Sequence, residues 1–274
     1  MHFFDRLAAR IDAVDSVVSV GLDPDPDRIP DHLADADLPR WAFNRRIIDA
    51  THEHAAAYKP NAAFYEDSDG WRALRETVAY AHGKDVPVLL DAKRADIGNT
   101  ARQYASLLDE TGADAVTVNP YMGRDSLEPF LSRTEFGVFV LCRTSNAGGS
   151  DIQDLELASG DPVYERVAEL ASEWNDNRNV GLVVGATAPE AFDDAGRALI
   201  DALFETVIEV PDHEARHQFA CNAHCPDGAH VLIQEGCEGT NAQLRNHDFV
   251  PVELDTSEFM KSGGSVFCMK QMIW

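Results

Sequence analysis

The chain has 274 residues, 45% of them hydrophobic, enough to bury the core of one large domain or two small ones. Its 47 acidic against 23 basic residues leave a formal charge of −24. Such a surface repels phosphate backbones and anionic lipid and argues against nucleic-acid and membrane partners. The apolar runs are too regular for a disordered chain. We therefore read the acidity as a halophilic-type solvated surface, whose self-repulsion high salt screens.

The N-terminus, "MHFFDRLAARIDAV", is amphipathic and carries acids, so it does not read as a signal peptide. No apolar stretch approaches the roughly 20 residues of a membrane span. Five cysteines, an odd count in a long chain, fit a reducing cytoplasm rather than a disulfide framework. Strands are predicted at Val17–Leu22, Ala56–Pro60, Val86–Leu90, Ala115–Val118, Val138–Leu141 and Val180–Val184. Several are continuous apolar runs, the pattern of parallel strands buried on both faces. Helical stretches such as "WAFNRRIIDATHEHA" and "NTARQYASLLDETG" lie between them, the latter stopping at Gly112. The alternation predicts an α/β fold, either a TIM-type (β/α) barrel or a doubly wound sheet.

Polar residues follow each apolar run: Asp23, Lys59, Asp91 with Lys93, Asn119, and Arg143 to Asn146. In a parallel barrel these strand ends gather on one face, where such folds place their chemistry. The stretch "LLDAKRADIGNT" (89–100) is the densest. Side chains alternate along a strand, so Asp91 and Lys93 point the same way. Asp96 lies beyond, in the loop, free to point elsewhere, including across a subunit interface. Lys59 can approach the same pocket, and only five lysines exist in the whole chain. A Lys–Asp–Lys–Asp array keeps all four groups ionised. It suits a reaction that forms a carbanion and then protonates it. It reads equally as a surface salt-bridge network.

Five segments resemble those of the orotidine 5′-monophosphate decarboxylase family, in family order: "VGLDPDPDR" (20–28), "YKPNAAFYE" (58–66), "LLDAKRADIGNTARQYA" (89–105), "VTVNPYMGRDSLEPF" (116–130) and "VLCRTSNAGG" (140–149). The resemblance covers about residues 1–190. It implies a homodimeric TIM barrel that removes CO2 from orotidine monophosphate without any cofactor. It further implies that Lys93 protonates the carbon losing CO2, that Asp91 faces the departing carboxylate and that Lys59 completes the array. Asp96, with Ile97 and Thr100, is expected from the partner subunit, Asp23 on the ribose hydroxyls, and Ser145 at the pyrimidine. Six βα units are recognisable, so the barrel is expected to be incomplete. The Gly-rich "PGxGxQGG"-like phosphate stretch of the family and its later arginine are not found. Arg216 and Arg245 are the candidates for a phosphate contact.

After "VGLVVGATAPE" (180–190) the pattern changes, and we divide the chain into a decarboxylase-like barrel portion, 1–190, and an atypical α/β C-terminal segment, 191–274. That segment, with "LFETVIEVPD", "HVLIQEGC" and "FVPVELDTSEFMKSGGSVFCM", resembles the C-terminal end of guanidine-modifying amidinohydrolases such as dimethylargininase. The resemblance implies Cys268 as an alternative nucleophile. A small buried side chain is an equal reading of Cys268, and the upstream modules that hold a guanidinium are missing. An inert chimera of the two parts is a third reading. "CNAHC" (221–225), with Cys221, His224, Cys225 and Cys237, is too loosely spaced for a zinc site, and no repeated acidic spacing suggests calcium. No metal is expected. His213, His217, His230 and His247 are read as lying on solvated turns.

Overall fold

The computed structural model describes residues 2–185, 207–225 and 228–257. These fall into two compact units: those within Met1–Cys142 and Glu165–Val183, and those within Arg143–Tyr164 and Val184–Trp274.

The first unit is built from strand–helix repeats. After helix α1 (Phe3–Val14) come strands β1 (Ser19–Leu22), β2 (Ala57–Pro60), β3 (Leu89–Arg94), β4 (Ala115–Val118), β5 (Gly137–Arg143) and β6 (Val180–Val184). Helices α2 (Asp31–Ala34), α3 (Pro39–Thr51), α4 (Ser68–His82), α5 (Gly98–Thr111), α6 (Arg124–Leu131) and α7 (Val163–Glu173) lie between them. β1 pairs in parallel with β2, and β3, β4, β5 and β6 form one sheet in chain order. Parallel bridges Tyr58↔Val88 and Asn61↔Asp91 join β2 to β3. Six strands in sequence order, with helical crossovers between successive ones, make the predicted TIM-type barrel, incomplete among the described residues.

Strand interiors and helix faces meet in one apolar core that includes Leu22, Ile48, Leu74, Leu90, Leu108, Leu127 and Val138. Three polar side chains inside it are linked by hydrogen bonds, as burial favours. The Tyr65 hydroxyl donates to the Leu22 carbonyl at 2.7 Å, and Asn44 donates to the Tyr65 oxygen at 2.8 Å and to Thr77 Oγ1 at 2.9 Å. This chain of bonds ties α3 and α4 to the end of β1. α4 starts where Asp67 accepts from the Gly70 amide at 2.7 Å while holding Arg40 at 2.6 Å. Its carboxyl is held down at about 2 by the Arg40 guanidinium and the Gly70 amide. A Cβ at Gly70 would lie 2.5 Å from the Tyr65 carbonyl oxygen, so the close approach requires glycine. α5 stops at Gly112, φ 76°, as predicted.

Several boundaries differ from the sequence reading. β3 begins at Leu89 rather than Val86, after Pro87, which lacks the N–H a ladder position needs, and it runs on to Arg94. Asp91 and Lys93 therefore lie within the strand, not after it. β1 begins at Ser19, and Val17 and Val18 before it are exposed. β5 extends to Arg143. His213 and His217 stand on the helix Asp212–His217 and His230 opens β7 (His230–Gln234), so these three are not on turns.

In the second unit β7 pairs in parallel with β8 (Val250–Leu254), with the helix Glu238–Asn246 between them in sequence. Val231, Ile233, Cys237 and Leu244 form its small core. Glu214 accepts from the Gly239 and Thr240 amides at 2.7 and 2.8 Å and so caps that helix. In the segment 143–164 of the same unit, buried Arg143 grips Asp154 at 2.8 Å and the Thr144 amide donates to Gln153 at 2.8 Å. Among the described residues, no helix is long and apolar enough to cross a membrane.

One carboxylate helps to fasten α1 to the strands of the first unit. Asp114 binds Arg6 at 2.7 Å, His82 Nε2 at 2.8 Å and the Val88 amide at 2.8 Å. The hydrogen bond to Asp114 raises the His82 pKa, with burial opposing it and the Asp114 charge adding to it. A raised imidazole stabilises the fold fully below its ordinary value, 6.5, and loses that contribution as pH rises through the higher folded value. The stability advantage of the unmodified chain over His82→Gln should therefore shrink between about pH 6 and about pH 9. Denaturant midpoints at the two pH values measure it; a constant gap would remove the His82–Asp114 pair from the account.

Candidate active site

Four neighbouring strand ends of the first unit converge on Asp91. The strand order β1-β2 and β3-β4, with the Asn61↔Asp91 bridge between β2 and β3, sets Lys59 beside Asp91. Lys93 Nζ donates to Asp91 Oδ1 at 2.7 Å and Lys59 Nζ to Oδ2 at 3.3 Å. Thr117 of β4 donates its hydroxyl to Asp91 Oδ1 at 2.8 Å. Asp23, just past β1, accepts from the Asn61 amide at 3.0 Å.

Asp91 is 8% exposed. Isolated, a carboxylate so buried would take up a proton. Burial does push its pKa up, but the Lys93 hydrogen bond, the Lys59 charge and the Thr117 hydroxyl together outweigh it and leave the group below the usual carboxylate range. Asp23 goes the other way. Burial raises it, and the nearby Asp91 charge adds to that, against Lys59, the Asn61 amide and Lys93. The two ammonium groups remain partly open, the Lys93 side chain at 49% exposure and the Lys59 side chain at 35%. Each ammonium has three N–H donors, so both can still face a ligand. The arrangement is a fixed carboxylate held between two cations, one of which presents protons to an open side.

Lys93 carries φ 47°, in the left-handed region, and the ladder between β3 and β4 slips between Leu90 and Arg94. The bulge turns Arg94 away, where it pairs with Glu66 and lies 4.9 Å over the Tyr104 ring. The charged neighbour in the sequence is thus outside the array.

The structure brings together Asp23, Lys59, Asp91 and Lys93 of the predicted residues. Asp96 instead accepts from its neighbour Ile97 N–H at 2.8 Å. Ile97 is 56% exposed and Thr100 stands exposed in the first turn of α5. None of the three joins the Asp91 array within this chain. Asn119 caps the turn after β4 by accepting from the Tyr121 amide at 3.0 Å. Ser145 belongs to the second unit. Arg245 lies in the last turn of its helix, and Cys268 is outside the described residues.

Two members of the site were not singled out from the sequence, Thr117 and Asn61. Thr117 left a signal: a hydroxyl inside the buried run "AVTV" must find a partner. Around "CNAHC", His224 exchanges backbone hydrogen bonds with Leu232 and Cys237 Sγ points to the Gln218 carbonyl at 3.8 Å. Burial pushes the Cys142 and Cys237 thiols up to about 11, which suits packing rather than attack. Among the described residues, no group of three or more His, Cys, Asp or Glu is placed to hold a metal ion.

Comparison with known proteins bears on the same segments. A family model described as "Orotidine 5'-phosphate decarboxylase / HUMPS family" matches residues 16–208. The orotidine 5'-phosphate decarboxylase of Halorubrum lacusprofundi is 81% identical over 190 residues, covering 69% of this chain and 68% of that one. That of Haloarcula marismortui is 72% identical over 207 residues, covering 74% and 75%. Among solved structures, the OMP decarboxylase of Leishmania donovani is 45% identical with a TM-score of 0.61, covering 76% of this chain and 78% of that one.

The opposite shifts of Asp23 and Asp91 set an order of protonation. In a carbon-13 NMR titration of labelled aspartate, Asp23 should take up its proton at higher pH than Asp91. Asp91, being depressed, stabilises the fold above its unfolded value and loses that contribution as pH falls through the lower folded value. Protonation of Asp91 before Asp23 would contradict the bonding described above.

Proposed function

This chain belongs to the orotidine 5'-phosphate decarboxylase / HUMPS family, and from that membership we propose that it is a carboxy-lyase converting orotidine 5'-monophosphate to UMP in pyrimidine biosynthesis, with Lys93 as proton donor. The observation that carries the reading is the Lys93 ammonium 2.7 Å from Asp91, with Lys59 on the other carboxylate oxygen. The bond between the pyrimidine ring and its carboxylate breaks and CO2 leaves. The electron pair stays on the ring carbon. An N–H bond of Lys93 then breaks as the C–H bond forms, and the neutral amine regains its proton from solvent. The Asp91 charge disfavours a substrate carboxylate beside it, and the fixed Lys93 cation stabilises the developing carbanion. No cofactor takes part.

We further propose that Lys59 and Asp23 face the ribose. In this reading a second copy of the chain supplies Asp96, Ile97 and Thr100 to each site, which supports a homodimer: Ile97 is exposed and its loop makes no bond to its own array. The family's Gly-rich phosphate stretch is not recognised in the sequence; if phosphate binding is absent, substrate affinity and rate should collapse, because remote binding energy drives the chemistry. The charge of −24 suits work at high ionic strength in a cytoplasm. No observation favours the hydrolase reading of Cys268.

Purified chain should release CO2 from orotidine 5'-monophosphate, and Lys93→Ala should lower turnover by about 10²-fold or more. Unchanged turnover would remove Lys93 as donor. If the subunits share sites, mixing Lys93→Ala with Asp96→Ala protein should restore part of the lost activity, since some mixed sites hold both intact residues. Absence of recovery in mixed dimers would place Asp96 in its own subunit's site or in none.

A further inference from the structure

The geometry points to Thr117 as a positioning residue whose hydroxyl holds both the Asp91 carboxylate and the backbone that aims Lys93. This inference rests on the decarboxylase reading. Thr117 is 3% exposed, between the buried apolar residues Val116 and Val118 of β4. Its hydroxyl, one donor and two lone pairs, is used in both senses. It donates to Asp91 Oδ1 at 2.8 Å and accepts from the Lys93 N–H at 2.9 Å.

The second bond falls where the sheet does not provide one. β3 and β4 pair through Leu89↔Ala115 and Leu90↔Val116, and the ladder resumes only at Arg94↔Val118. The Lys93 amide sits inside the slip and finds a side-chain oxygen instead. There the residue adopts φ 47°, which a residue with a side chain rarely takes unless its surroundings over-determine it. Asp91 Oδ1 also accepts from Lys93 Nζ at 2.7 Å. The three bonds form a closed loop: Thr117 hydroxyl to Asp91, Asp91 to the Lys93 ammonium, and the Lys93 amide back to Thr117.

The charged groups facing Asp91 are Lys59 from β2, Lys93 from its own strand and Asp23 from the end of β1. The cations attract the carboxylate but do not fix its rotation, since each sits on a flexible stem. The Thr117 hydroxyl, on a short side chain of a buried strand, does. Without it the Asp91 carboxylate is free to turn and the Lys93 backbone to relax, and the proton donor shifts from the carbon it serves. Displacement of about 1 Å costs on the order of 10²-fold in rate.

The test is steady-state kinetics on the full chain with orotidine 5'-monophosphate, well below each variant's melting midpoint. Thr117→Val keeps the shape and removes the hydroxyl, Thr117→Ala replaces it if the valine variant does not fold, and Thr117→Ser restores the hydroxyl alone. The hydroxyl-free variant should lose roughly 10- to 100-fold in kcat with KM within about threefold, and Thr117→Ser should recover most of kcat. A hydroxyl that serves only stability would lower the melting midpoint and leave kcat of the folded protein in place. Unchanged kcat in the hydroxyl-free variant, or a serine variant as slow as it, overturns this inference while turnover of the unmodified chain upholds the function. Absence of turnover in the unmodified chain overturns the function and this inference with it.

Discussion

One buried carboxylate organises the site. Asp91 cannot sit 8% exposed and ionised without compensation, and its compensation comes from three adjacent strands: Lys59 of β2, Lys93 of its own β3 and Thr117 of β4. Parallel pairing in chain order is what places those strands side by side. The bridge Asn61↔Asp91 fixes the height at which β2 meets β3, and the Asn61 amide in turn holds Asp23. Strand order, register and charge balance are therefore one constraint, and a slip of the β2–β3 register would leave the carboxylate facing the wrong partner.

The surrounding core holds that register. Tyr65 bonds the last residue of β1 through Leu22, and Asn44 and Thr77 secure Tyr65 from α3 and α4. The position of Asp23, one residue past Leu22, is thereby set by helices that never touch the array. At the opposite end of the strands Asp114 gathers Arg6, His82 and the Val88 amide. The chemistry-bearing ends are left to tolerate a left-handed Lys93 and a ladder slip because the rest of the unit is regular.

Several buried polar groups of the second unit find partners within it. Glu214 caps the helix between β7 and β8, Gln234 accepts from the Thr256 amide at 2.9 Å, and Asn241 donates to Glu253 at 2.9 Å. Its apolar core is small, so these buried bonds carry much of its specificity. Arg143, 3% exposed and paired with Asp154, plays the same part in the segment that bears Ser145.

Much of this was legible in the sequence because it depends on local pattern. Apolar runs, several of them continuous, marked all six strands, Gly112 marked the end of α5, and the ordered segments from "VGLDPDPDR" to "VLCRTSNAGG" marked the family. A period of two put Asp91 and Lys93 on one side of a strand. Tertiary structure decided the rest, because it depends on residues far apart in the chain. β3 runs on past Leu90 to Arg94, so Asp91 and Lys93 lie inside the strand rather than beyond it. The slip against β4 set Lys93 at positive φ and turned Arg94 to Glu66. Thr117, 26 positions from Asp91, entered the site only because β4 lies beside β3. The residue types required by the chemistry were local and visible; the atoms that hold them in place were contributed by neighbours that only the sheet could supply.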